Sequence, residues 1–175
     1  MIDHLAQHIA VYVKSRSPAH PASIAVLRHA LAIIINMIMV IVLTMAVTAA
    51  IGTFFKALIM MLVFVALRQI TGGYHLKSGI WCVVASSALF ILLSLCNPSP
   101  SMVTLLTTVS VFLVLLFAPS RIEKQSRIPK EYYLALKALG VCLVSSNFLI
   151  GSGTIALAMF AQAILLIGFN HIKEE

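Results

Sequence analysis

Ala30-Leu31-Ala32-Ile33-Ile34-Ile35-Asn36-Met37-Ile38-Met39-Val40-Ile41-Val42-Leu43-Thr44-Met45-Ala46-Val47-Thr48-Ala49-Ala50-Ile51 carries no charged side chain. A helix of about 20 apolar residues crosses the roughly 30 Å hydrocarbon layer of a bilayer. Lipid offers the backbone no hydrogen-bond partner, so such a segment must satisfy its own N–H and C=O groups as a helix. The run therefore reads as a transmembrane span over residues 30–51. The composition around it agrees. Of 175 residues 61% are hydrophobic and 10% charged, with a mean hydropathy of +1.07. A soluble domain holds about 25% charged residues. The chain is expected to be an all-α, polytopic membrane protein forming one membrane-embedded domain over residues 1–175.

Further apolar runs follow at 54–67, 78–96, 102–118, 131–150 and 154–169, so about six transmembrane helices are expected; a four-span count with the weaker segments re-entrant scatters the charges less cleanly. Before the first, Ile2, Leu5, Ile9 and Tyr12 or Val13 recur at helical spacing, with Asp3, His4, Gln7, His8 and Lys14 on the other face. That pattern predicts an amphipathic helix over residues 1–16 lying at the membrane surface. It lacks the basic start, apolar centre and small-residue cleavage site of a signal peptide. Ser17-Pro18-Ala19-His20-Pro21 ends the helix.

A formal net charge of +7 would point a soluble protein toward nucleic acid. Here lysine and arginine set orientation instead, since they concentrate in cytoplasmic connections. With six spans, Lys14, Arg16, Arg28, Arg68, Lys77, Arg121, Lys124, Arg127, Lys130 and Lys173 share one side. The opposite connections, around Gly52, Pro98 and Ser152, contain none; Lys56 lies near that side and can snorkel to the interface. Both termini and the connection between the second and third spans are thus expected inside a multi-pass cell-membrane protein. The bilayer is the expected partner and nucleic acid is not.

That connection holds the chemistry. Arg68-Gln69-Ile70-Thr71-Gly72-Gly73-Tyr74-His75-Leu76-Lys77-Ser78-Gly79-Ile80-Trp81-Cys82 joins an arginine, a glycine pair, a histidine and a cysteine between two apolar runs. A cysteine becomes a strong nucleophile when a neighbouring base takes its proton, and histidine is the usual base. Seven residues apart on one helix, His75 and Cys82 would lie about 10 Å apart along the axis, beyond hydrogen-bond reach. Gly72 and Gly73 allow a sharp backbone turn that folds the histidine back over the helix carrying Cys82. By residue type alone, a cysteine at the end of an apolar helix more often packs as a small hydrophobe, and a loop histidine is more often solvated.

The pattern Arg68, Gly72-Gly73, His75 and Cys82 resembles the accessory gene regulator B family of bacterial membrane cysteine peptidases, which mature quorum-sensing peptides. Phe117-Ala118-Pro119 and the basic loop through Lys130 resemble that family's central loop, and the likeness covers nearly the whole chain. The resemblance implies a catalytic Cys82 with His75 as its general base, and activity resting also on Arg68 and Gly73. It implies a short amphipathic propeptide substrate whose acidic carboxyl-terminal tail is removed. The remainder is closed into a thiolactone or lactone through an acyl-enzyme thioester. Arg68, Gly72 and Gly73 would position the substrate, and Arg121 and Lys124 in the basic loop would steer its acidic tail. For Arg68 the plainer alternative is an anchor at the end of the second span.

No carboxylate stands near the motif in sequence, so Gln69, Ser78 or a backbone carbonyl would orient the imidazole, or the pair acts as a dyad. Backbone N–H groups opening the third span are candidate oxyanion donors. Gly151-Ser152-Gly153 reads as a turn, because no later span supplies a histidine base. No His-Glu-x-x-His motif occurs, His4, His8, His20 and His29 read as surface histidines, and no metal or cofactor is expected. Cys96 and Cys142 are expected to pack, and Asn36, Asn147 and Gln162 to bond neighbouring helices. A homodimer suits so small a bundle. Two other readings are a small transporter or export component for a peptide, weakened by the scarcity of ionisable residues within the spans, and a scaffolding membrane subunit.

Overall fold

A computed structural model describes residues 2–19, 21–73, 79–120 and 129–167. Every regular element among them is helical. The elements are α1 (Ile2–Arg16), α2 (Ile24–Ala50), α3 (Phe54–Thr71), α4 (Gly79–Leu95), α5 (Pro100–Phe117), a 3₁₀ turn (Lys130–Tyr132), α6 (Tyr133–Ser145), α7 (Asn147–Ile150) and α8 (Gly153–Ile164). Ile24–Ala50, Phe54–Thr71, Pro100–Phe117 and Lys130–Ile150 are long and apolar enough to cross a membrane. Gly79–Leu95 and Gly153–Ile164 are shorter apolar helices. The protein is an all-α polytopic membrane protein.

The helix ends show which local chemistry won. Ser23 caps α2 by accepting from the Val26 N–H at 3.3 Å, which starts the helix six residues before the apolar run expected over 30–51. Pro100 occupies the first turn of α5, where a missing N–H costs nothing. The second span does not end at Leu67: α3 continues through Arg68, Gln69, Ile70 and Thr71. Those residues tolerate a helix, and termination waits for Gly72 at φ +72°, a conformation glycine adopts without strain. The fifth span is interrupted at Ser146, whose hydroxyl donates to the Leu143 carbonyl at 2.7 Å, and a separate turn, α7, follows. Serine and asparagine compete with the helix ladder through such bonds.

The described residues fall into two compact units. The first contains α1, α2 and α4 as far as Ile91. Here α1 packs along α2, and the buried residues of α1 are Ile2, Ala6 and Ala10. Leu5 and Tyr12, from the apolar set of this helix, do not pack against the protein and are 52% and 60% exposed. Small side chains at a four-residue spacing, Ala6 and Ala10, let two helices approach closely. On α2 the buried positions are Asn36, Val40, Thr44 and Thr48. The Thr48 hydroxyl donates back to the Thr44 carbonyl at 2.7 Å.

The second unit contains α3, the end of α4, and α5 to α8. Its core joins Leu67, Val114, Ala118, Val144, Met159, Ala163 and Leu166. The helix α8 packs against both α3 and α5 and buries Ala156, Leu157, Ala158, Met159, Ala161, Gln162 and Ala163. At 12 residues it spans only about 18 Å, less than the hydrocarbon layer. A helix buried on nearly all sides is expected to be apolar or small all round, and apart from Gln162 the buried residues of this one are. The expected turn at Gly151-Ser152-Gly153 is present: Gly151 ends α7 at φ +66° and the Ser152 hydroxyl caps α8. Asn147 braces it, donating to Thr107 Oγ1 at 3.0 Å and accepting from the Ser152 N–H at 3.2 Å.

Gly140 marks the tightest crossing of α6. A Cβ there would lie 3.0 Å from Thr71 Cγ2 and 3.3 Å from Val114 Cγ1. Gly140→Val forces three carbons into that contact and is expected to destabilise by about 1–3 kcal/mol, read as a lower melting temperature in detergent micelles. A raised melting temperature would show that the crossing has slack.

Candidate functional site

The Arg68–Cys82 motif divides between the two units, Arg68 to Gly73 lying in the second and Cys82 in the first. His75, Arg121 and Lys124 lie outside the described residues.

In the first unit, Cys82 occupies the first turn of α4 and is 8% exposed. Its Sγ stands 3.9 Å from Ser86 Oγ, one turn on. Gly79, which opens the helix, faces Ile2 and Asn36: a Cβ there would sit 3.3 Å from Ile2 Cδ1 and 3.6 Å from Asn36 Oδ1. The Asn36 oxygen is buried with no hydrogen-bond partner. The interhelical bond expected of Asn36 is therefore not made by that oxygen. The first N–H groups of any helix have no partner within it, and the same end favours negative charge. Cys96 and Cys142, expected to pack, are exposed. Their sequence positions set them on outward faces of α4's end and α6, which apolar periodicity does not distinguish from inward ones in a membrane protein.

In the second unit, the motif's first half is a bonded assembly rather than a loose connection. Gly72 N–H closes the helix onto the Arg68 carbonyl at 2.8 Å. The Thr71 hydroxyl donates to the Leu67 carbonyl at 2.8 Å. Ser120, just beyond Phe117-Ala118-Pro119, pairs with this end in both directions: its N–H donates to the Thr71 carbonyl at 2.9 Å, and its carbonyl accepts from the Gly73 N–H at 3.0 Å. The two stretches that carry the family resemblance thus meet through backbone bonds, a parallel bridge between Gly72 and Ser120.

Gln162 of α8 completes the assembly. Its Nε2 donates to the Gly72 carbonyl at 2.7 Å and to Thr71 Oγ1 at 3.2 Å. Its Oε1 accepts from Arg68 Nη1 at 3.5 Å. The Arg68 guanidinium also lies over the Phe64 ring, 5.9 Å from its centroid, an attraction between cation and ring face. Gly73 adopts φ +131°, and a Cβ there would sit 3.3 Å from Gln162 Nε2 and 3.8 Å from Arg68 Nη1. Arg68 is therefore part of the last turn of α3, half-buried, and not in the connection where the sequence places it. Sequence reasoning gave Gln162 a bond to a neighbouring helix but not its target. Its signal was a carboxamide in an apolar helix, a costly placement unless bonded.

Helices this long and apolar belong to an integral membrane protein. The chain belongs to the accessory gene regulator B family, whose profile matches residues 6–169. It is a membrane protein of the accessory gene regulator quorum-sensing system, in a family that is generally one of peptide-processing proteases. No curated protein and no solved structure matches the chain.

Proposed function

We propose that the protein is a membrane cysteine endopeptidase that removes the acidic carboxyl-terminal tail of a short amphipathic propeptide and closes the rest into a ring. His75 takes the proton of the Cys82 thiol, and the thiolate attacks the scissile carbonyl. The tetrahedral oxyanion faces the N–H groups of α4's first turn. The C–N bond breaks, the imidazolium gives its proton to the leaving amine, and the peptide remains on Cys82 as a thioester. A thiol or hydroxyl within the peptide then attacks that thioester, its proton passing through His75 to the departing Cys82. The product is a thiolactone or a lactone. Arg68 and the Gly72–Gly73 turn position the substrate, and Arg121 and Lys124 steer its acidic tail.

The observation that carries this reading is Cys82 itself. It stands in the first turn of a helix, seven residues after a histidine, in a chain of this family. The distribution of lysine and arginine supports a cytoplasmic placement of both termini and the motif. The experiment is co-expression with an amphipathic propeptide bearing an acidic tail, followed by trapping of a hydroxylamine-sensitive adduct on the protein. His75→Ala is expected to abolish both adduct and cleaved tail while the protein stays in the membrane fraction. Undiminished cleavage by that variant would remove the general base from the scheme.

A further inference from the structure

Gln162 is fully buried in an alanine-rich helix, and both ends of its carboxamide are engaged. The orientation of that amide is set by its neighbours. Turned over, it would aim its oxygen at the Gly72 carbonyl and its N–H at the Arg68 guanidinium, placing like beside like. As it stands, one side chain ties the Gly72 carbonyl, the Thr71 hydroxyl and the Arg68 guanidinium together. The Phe64 ring holds the same guanidinium from another direction. Gly73 lies against both Gln162 and Arg68, and a Cβ there would sit tightly against Gln162 Nε2 at 3.3 Å. A guanidinium held at a fixed angle presents its planar fork to a carboxylate with less freedom left to lose.

We infer that Gln162 is a positioning residue: by holding Arg68 and the Gly72 carbonyl in one arrangement, it sets the guanidinium to receive a carboxylate of the substrate's acidic tail. This rests on the peptidase reading for the identity of the substrate, but its test does not require cleavage. Phenylglyoxal modifies arginine, and a tetraglutamate peptide stands in for the acidic tail. With the full chain in detergent micelles, tetraglutamate is expected to slow modification of Arg68 at least threefold, Arg16 and Arg28 serving as internal references. In Gln162→Met, similar in length but unable to hold the guanidinium, that protection is expected to vanish. Should Gln162→Met fail to accumulate, Gln162→Glu is read the same way, because its carboxylate occupies the guanidinium itself. Protection retained in the variant, or absent in the wild type, overturns the inference.

A second readout separates positioning from folding. On a propeptide that the wild type cleaves, Gln162→Met is expected to raise KM about tenfold and leave kcat within about twofold. A merely structural loss lowers the amount of active protein, so it reduces apparent kcat with KM unchanged, and that result also overturns the inference. In an Arg68→Ala background, Gln162→Met is expected to change KM no further. A wild type that cleaves no acidic-tailed peptide counts against the peptidase reading, while the footprint still decides the role of Gln162.

Discussion

Cys82→Ala is expected to lower release of the propeptide tail by on the order of 10⁴-fold or more, because without the sulfur no acyl-enzyme can form. Cys82→Ser is expected to be nearly as inactive, since a hydroxyl holds its proton far more tightly than a thiol. The folding consequence is small by comparison. Removing one buried sulfur beside Ser86 leaves a cavity costing about 1 kcal/mol, so the protein is expected in the membrane at near-normal amounts. Cys96→Ala and Cys142→Ala supply the contrast. Both thiols are exposed, and both variants are expected to retain full activity. The measurement is tail release in vesicles, normalised to protein in the membrane fraction. Cleavage by Cys82→Ala at even a tenth of the wild-type rate would end the proposal that Cys82 is the nucleophile.

Gly73→Ala is the second large effect. At φ +131° an L-residue is strained by about 1–3 kcal/mol. The new methyl would also press on Gln162 Nε2 at 3.3 Å, in a site whose other wall is the Leu165 carbonyl at 3.5 Å. The backbone has to leave this conformation, and with it go the Gly73 N–H bond to Ser120 and the alignment with Arg68. Activity is expected to fall about 10–100-fold, the rate equivalent of roughly 1.4–2.8 kcal/mol. Gly52→Ala and Gly151→Ala test whether that loss is local. They sit at φ +75° and +66° with nothing within 4 Å of a Cβ, so each costs about 1 kcal/mol of stability and leaves cleavage intact. If Gly73→Ala cleaves as well as those two, the Gly72–Gly73 turn has no part in catalysis.

Much of this was legible in the chain. The apolar runs announced helices because a membrane protein can satisfy its backbone in few other ways. Gly72 and Gly73 announced a turn because positive φ is nearly free only for glycine, and both adopt it. Other features were misread for identifiable reasons. Arg68 was set in a connection, with the end of the second span as the plainer alternative; nothing in Arg68-Gln69-Ile70-Thr71 opposes a helix, and α3 runs on to the first glycine, as that alternative has it. In α1 the apolar spacing did not single out Ala6 and Ala10, which are buried, since close approach to α2 needs small side chains. Cys96 and Cys142 looked like packing residues because in lipid an outward face is as apolar as an inward one.

What the amino-acid order determined by itself is local: where helices form, where they stop, and which residues can do thiol chemistry. Hydrophobic runs, caps and glycines act within a few residues, so their effects are written along the chain. Tertiary structure alone decided that a glutamine 90 positions after Gly72 would accept Arg68 and bond the glycine turn. It also decided that Ser120 would pair with both Thr71 and Gly73. Those meetings depend on how α8 seats between α3 and α5, and packing of that kind leaves no periodic trace in any one segment.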